Sequence, residues 1–158
     1  MYYKKYQSHY FTLIMVSDGE YLTGLYFDSY FDYSHLTEFD LHIFDEVSQW
    51  LDCYFEGNVP DFFPKMKAKG TNFQKEVWDI LLSIPYGKTT TYGDIAKIIA
   101  SLRGVKTMSS QAIGQAVSKN PIAIIVPCHR VIGKNNALTG YAYGLKNKEI
   151  LLHLEGII

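Results

Sequence analysis

A chain of 158 residues with 47% hydrophobic and 20% charged side chains has a globular composition, which excludes disorder and leaves room for one domain or two small ones in contact. No apolar run reaches the roughly 18 residues of a membrane span, and the opening MYYKKYQSHY lacks the apolar core and cleavage site of a signal peptide, so the expectation is a cytoplasmic protein with no membrane partner. The net charge of −1 conceals a split: residues 1–85 carry six lysines against 13 acids, a balance of −7, while residues 86–158 carry nine basic residues against three acids, a balance of +6. Either the second half meets a polyanion, or the split is an ordinary surface fluctuation.

Residues 10–16 and 21–27 read as strands on either side of Ser17-Asp18-Gly19-Glu20, where Asp-Gly suits a tight hairpin turn. Ile43, Val47, Trp50, Leu51 and Tyr54 recur at helical spacing and predict a helix over 38–55, stopping near Gly57 with Pro60 beyond. Residues 58–70, with two prolines and three lysines, read as a linker. The first half is therefore a small α/β unit of sheet and helix, and the domains are expected to be 1–68 and 69–158.

Thr71 and Gln74 fit a capping box at the next helix start, and Phe73, Val77, Ile80, Leu81 and Ile84 give that helix an apolar face ended by Pro85 and Gly87. Short helices over 92–100 and 109–119, with a turn around Arg103-Gly104, resemble a helix-turn-helix whose connector exceeds the usual three or four residues. Ser109, Ser110, Ala112, Gly114 and Ala116 give the second of these a small-residue surface, suited to a neighbouring helix or to a nucleic-acid groove. The unbroken apolar run 122–126, closed by Pro127, reads as a buried strand. The second domain is thus mostly α, with a helix-turn-helix and one short buried strand.

Cys128 follows a rigid proline and precedes His129 and Arg130. A thiol attacks only as thiolate, and His129 is a candidate proton acceptor with Glu155 as the group that orients it. The residues alone leave two readings open: an activated nucleophile, or a small buried cysteine beside a hydrogen-bonded core histidine. In a reducing compartment Cys53 and Cys128 stay free, and Cys53 reads as an ordinary half-buried thiol. No Cys/His cluster in the first half suggests a structural zinc, so neither metal nor cofactor is expected.

The run Ile124-Ile125-Val126-Pro127-Cys128-His129-Arg130-Val131-Ile132 resembles the active-site signature of the O6-alkylguanine-DNA alkyltransferases. Gly70-Thr71-Asn72-Phe73-Gln74, the segment from Ile84-Pro85-Tyr86-Gly87 to Tyr92-Gly93, Asn120-Pro121 and Leu151-Leu152-His153-Leu154-Glu155-Gly156 follow in the family's order. The resemblance implies a ribonuclease-H-like first domain and direct-reversal repair: one irreversible, stoichiometric transfer of an alkyl group from O6-alkylguanine, and from O4-alkylthymine, in double-stranded DNA to Cys128. It implies a monomer on the DNA minor groove without sequence preference, and a nucleotide rotated out of the duplex. Cys128, His129 and Glu155 take the places of acceptor and relay, with a water between thiol and imidazole. Tyr92 resembles the tyrosine that helps extrude the nucleotide and protonates the departing guanine. Asn120 resembles the asparagine bracing the turn before the active site, Tyr141 the aromatic wall of the base pocket, and Arg130 a structural ion-pair partner. Ser110, Ala112 and Gly114 fall on the minor-groove helix.

Three positions depart from the family pattern. Gln111 stands where many relatives have an arginine that fills the gap left by the flipped nucleotide. Ala142 replaces a frequent serine, leaving only a backbone N–H for O6. Tyr143 replaces a glycine in the pocket loop, so its ring is expected to narrow the alkyl slot and hinder a benzyl group. Cys128 argues against the non-catalytic alkyltransferase-like proteins, which lack the cysteine, and the small residues of 109–119 fit poorly with a major-groove regulator.

Overall fold

Three antiparallel strands open the fold: β1 (Tyr2–Gln7), β2 (Thr12–Ser17) and β3 (Leu22–Phe27). The β2–β3 turn is made by Asp18, whose Oδ1 accepts from the N–H groups of Glu20 and Tyr21, and by Gly19 at φ 113°, a value that L side chains rarely adopt. β1 gave no periodic signal because only Tyr6 among its six residues is buried; it is a strand because β2 pairs with it along its whole length. The computed structural model describes Met1–Ile158, and the chain divides into two compact units, Met1–Lys69 with Pro121–Ile125, and Gly70–Asn120 with Val126–Ile158.

In the first unit, the two-residue strand β4 (Thr37–Glu38) adds parallel to β1, giving the order β3-β2-β1-β4. This pairing moves the helix start from the expected Glu38 to His42: α1 covers His42–Phe55, and Ile43, Phe44, Val47, Trp50, Leu51 and Tyr54 are buried on it against the sheet. Residues 58–70 are not a free linker. Leu22 donates its N–H to the Lys65 carbonyl at 2.8 Å and its carbonyl accepts from Lys67 at 2.9 Å, which covers part of the β3 edge.

The expected strand over 122–126 is corrected. Only Ile122 bridges, to Leu25, which donates to the Pro121 carbonyl at 2.9 Å and accepts from Ala123 at 3.0 Å. The chain then turns at once, with Ile124 at φ 69° and the Ile125 N–H on the Ala123 carbonyl at 2.7 Å. The run is buried throughout, as its composition demands, but burial does not distinguish a strand from a buried turn. A β-branched residue at positive φ is strained, and the surrounding apolar packing holds it there. The same segment alters the expected division at 68/69, since Pro121–Ile125 groups with the first unit.

The second unit begins at α2 (Asn72–Leu82). The capping box is present, with Thr71 Oγ1 accepting from the Gln74 N–H at 3.1 Å and Gln74 Oε1 accepting from the Thr71 N–H at 3.0 Å. Its buried face is Val77, Trp78 and Leu81; Phe73 and Ile80 are only half-covered. Trp78 donates its Nε1–H to the Ala116 carbonyl at 2.9 Å, a bond that ties α2 to the helix carrying the small residues. Strand β5 (Thr90–Thr91) leads into α3 (Tyr92–Arg103), which ends at Gly104 in the left-handed region at φ 66°. After residues 105–109 comes α4 (Ser110–Ser118), capped by the Ser109 hydroxyl on the Ala112 N–H. Strand β6 (Val131–Ile132) pairs in parallel with β5, and α5 (Leu145–Leu154) closes the unit. The short buried strand of this domain is therefore β6. No helix is long and apolar enough to cross a membrane.

Candidate active site

Four local devices bring the site together. Pro127 is followed by a single 3₁₀ turn, Cys128–Arg130, whose three side chains are all buried. β6 follows directly and pairs with β5, the residues that cap and start α3, so two short strands fix Tyr92 relative to Cys128. α4 ends at Ser118, two residues before Asn120, and α5 supplies Lys148 and, at its C-cap, Glu155.

Cys128 is 5% exposed and lines a cavity of about 230 Å³. One side is formed by Tyr92 with Gly114, Val117 and Ser118 of α4, the other by the loop Gly140-Tyr141-Ala142. This is smaller than the roughly 300–1,000 Å³ of drug-sized ligand sites and fits one flat group. Asn120 donates from Nδ2 to the Val126 carbonyl at 2.8 Å and to Cys128 Sγ at 3.3 Å, and Tyr141 lines the cavity with the sulfur. Burial pushes the Cys128 thiol up; the Asn120 hydrogen bond, the Lys148 charge and the Tyr141 hydroxyl push it back down by favouring the thiolate.

Behind the sulfur lies an ionic core. His129 is fully buried, and its Nε2 is 2.6 Å from Glu155 Oε2. Glu155 Oε1 accepts from Arg130 Nε at 2.8 Å and from the Gly87 N–H at 3.0 Å. Arg130 also donates to the Ile84 carbonyl at 2.8 Å and lies over the Tyr86 ring. Burial alone would raise the Glu155 pKa, but the hydrogen bond from His129, with the Arg130 charge and the Gly87 amide, brings it down to about 2. Burial pushes His129 below its ordinary value against the pull of Glu155, so the resting pair is carboxylate and neutral imidazole. With Nε2–H donated to Glu155, Nδ1 carries the lone pair that can receive a proton. Tyr92 donates to the Thr139 carbonyl at 3.2 Å, and its phenol is pushed up by burial and by the Cys128 charge, so it stays protonated at neutral pH.

The expected residues fall into three groups. Cys128, Tyr92, Gly114, Tyr141 and Ala142 meet at the cavity, with Asn120 on the sulfur, while Glu155 joins His129 and Arg130 in a separate buried cluster. Ser110, Gln111 and Gly114, with Gln115 and Ser118, line an open groove on the outer face of α4. A methyl group added at Gly114 would meet the Tyr92 ring at an ordinary 3.8 Å, so the protein's own packing does not require glycine there. Ala116 is the small residue that α4 turns inward, and Ala112 is half-buried off the groove.

Tyr143 is the correction. It is 6% exposed and absent from the cavity wall; its ring meets Tyr141 edge-on at 5.5 Å and 67°. The expected result for Tyr143→Gly is a loss of about 3 kcal/mol of stability from the vacated space, with no selective gain toward free O6-benzylguanine. Thermal melts and benzyl-transfer rates check this, and a large gain confined to the benzyl substrate returns the ring to the pocket.

Sequence reasoning missed Lys148 and the Gly87 amide. Lys148 had a signal: Lys148, Leu151, Leu152 and Glu155 lie at helical spacing and share the buried face of α5.

The sequence profile of the 6-O-methylguanine DNA methyltransferase DNA-binding domain matches residues 72–157, and that of its ribonuclease-like domain matches residues 1–63. A Methanosarcina acetivorans protein named methylated-DNA–protein-cysteine methyltransferase is 55% identical over 113 residues, which are 72% of this chain and 69% of that one. A Haemophilus influenzae protein of the same name is 38% identical over 162 aligned positions, covering 99% of this chain and 87% of its own. Mycobacterium tuberculosis OGT, solved in complex with DNA, is similar with a TM-score of 0.85 at 39% identity, over 98% of this chain and 92% of that one.

Proposed function

The chain belongs to the 6-O-methylguanine DNA methyltransferase family, and from that premise we propose that it repairs DNA directly, by drawing the alkyl group of O6-alkylguanine onto Cys128. The observation that carries this reading is Cys128, its sulfur hydrogen-bonded by Asn120, lining a cavity between Tyr92 and Tyr141.

The target carbon lies inside the duplex, so the nucleotide rotates out and its base enters that cavity, at least cost for a mispaired lesion. The Cys128 proton passes through a water to His129 Nδ1, and Glu155 steadies the resulting imidazolium. The sulfur attacks the alkyl carbon in line, the carbon–O6 bond breaks, and its electron pair leaves with guanine. Tyr92 donates its phenolic proton to that anion and recovers one from the relay or solvent. The net change exchanges the thiol hydrogen for the alkyl group, leaving a thioether and unmodified guanine. The Ala142 N–H serves O6 in place of a hydroxyl. Alkylated O4 of thymine, a flat lactim ether of the same kind, is a second substrate. The protein acts as a monomer, with α4 in the minor groove, where small side chains permit close approach and little sequence is read. Mass spectrometry after incubation with O6-methylguanine DNA tests the reading: one methyl in the Cys128 peptide supports it, and an unmodified cysteine beside intact lesions overturns it.

Gln111 sits on the exposed groove of α4 and offers an amide to the orphaned base. The expected result for Gln111→Arg is preserved or modestly faster repair of duplex DNA, with less change on single strands, where no base is orphaned. Single-turnover rates on both substrates check it. A large duplex-specific loss means that the amide makes a contact arginine cannot replace.

A further inference from the structure

Lys148 is fully buried on α5, and its Nζ donates to three carbonyls: Val131 at 2.6 Å, Gly140 at 3.0 Å and Thr139 at 3.1 Å. A neutral amine has two hydrogens and cannot serve three carbonyls, so the geometry selects the ammonium. Two of these carbonyls belong to the loop that leads into Tyr141, and Thr139 also receives the Tyr92 hydroxyl. The third, Val131, is the first residue of β6, immediately after the Cys128–Arg130 turn. One side chain therefore clamps a wall of the cavity to the strand that follows the sulfur.

The charges around it are unequal. Glu155 is matched by Arg130, while the partners of Lys148 are carbonyls, which carry no net charge. With Cys128 as a thiol, this buried set holds one excess positive charge; with Cys128 as thiolate, it is balanced. From the clamp and this imbalance we propose that Lys148 is a positioning residue for the transfer reaction, holding the pocket loop and supplying the fixed charge that stabilises the Cys128 thiolate. The proposal deepens the function given above and rests on it for the role of the loop. The other ionisable groups that interact with the sulfur are Tyr92 from α3 and Tyr141 from the loop, and the buried cluster of His129, Glu155 and Arg130 follows it in the same turn and at the end of α5. Tyr92 and Tyr141 are neutral, and Glu155 is compensated by Arg130, so Lys148 is the uncompensated cation. Burial brings Lys148 down to about 8 against the attraction of the thiolate, and the same charge pair favours the thiolate of Cys128.

The test separates charge from position. The rate of Cys128 alkylation by iodoacetamide, read on the Cys128 peptide, is measured against pH without DNA for wild type, Lys148→Met and Lys148→Arg. Lys148→Met is expected to move the midpoint up by about one pH unit, with about a ten-fold slower reaction near neutrality. Lys148→Arg is expected to keep the midpoint, because the charge remains, yet to slow methyl transfer from O6-methylguanine DNA, because a planar fork cannot meet the same three carbonyls. An unchanged midpoint in Lys148→Met overturns the proposal, even if transfer falls. If Lys148→Met does not fold, the wild type decides: the Lys148 ammonium is titrated by NMR before and after methylthiolation of the thiols. Loss of the thiolate is expected to lower the Lys148 pKa, and an unchanged value overturns the coupling. Failed repair with the expected iodoacetamide profile counts against the function and not against Lys148.

Discussion

With O6-methylguanine DNA in excess, one methyl is expected on Cys128 per chain, after which repair stops, and Cys128→Ala is expected to lose transfer altogether. The reason is chemical. A thioether carbon is saturated and its thiolate is a poor leaving group, so the water and His129 that take up the thiol proton have no productive attack on it. The thiol is the sole strong nucleophile at the cavity, so its removal takes away the covalent step, not merely part of its stabilisation. Ser110, Gln111 and Gln115 line the open groove of α4 and not the cavity, so Cys128→Ala is expected to retain the DNA binding proposed for that face. Titrating protein against lesions, with mass spectrometry of the product, reads the ratio. More lesions repaired than protein molecules present, or transfer by Cys128→Ala, overturns the single-use mechanism.

Glu155→Gln is expected to cost both activity and stability. The carboxylate receives His129, Arg130 and the Gly87 amide in a fully covered position. The amide can accept from only one of its two heads, and it leaves Arg130 buried without its counter-charge, a loss on the order of 3 kcal/mol and of roughly 10 °C in melting temperature. Conservative repair of folding by low temperature should leave a slower transfer whose pH profile lies higher, because His129 loses the anion that stabilises its protonated form. An unchanged profile in folded protein removes Glu155 from the relay.

The same pair sets the acid stability of the wild type. The folded pKa of Glu155 is depressed to about 2 from 4.5, so its stabilisation is complete above 4.5 and fades as pH falls toward 2. His129 is also depressed, from 6.5, so the unfolded chain takes up its proton first and stability begins to fall below about that pH. Stability is therefore expected to decline in two stages on acidification. In Glu155→Gln the lower stage disappears. Denaturant melts across this range check both.

Much of the molecule was legible because its cues are local. The Thr71–Gln74 capping box, the Asp18-Gly19 turn and the apolar spacing of α1 each depend on residues within a few positions, and all are present as read. Cys128, His129 and Glu155 were candidates from their chemistry, but Tyr92 and Asn120 entered only through the family resemblance carried by Pro127-Cys128-His129-Arg130 and the segments in order with it. What remained hidden depends on partners far along the chain. β1 is a strand through β2, not through its own pattern, and β4 displaces the start of α1 by pairing with β1. The run 122–126 announced burial but not conformation, because hydrophobicity fixes that a segment is covered and not which hydrogen bonds it makes. Tyr143 was placed in the cavity by its neighbours in sequence, whereas its ring turns away to support Tyr141. Lys148 reads as a surface charge until three carbonyls, eight, nine and 17 residues distant, close around it. Local spacing determined most of the elements, and the family's signature motif pointed to the sulfur; only long-range packing, which satisfies each buried polar group with a partner no local rule can name, decided how that sulfur is held.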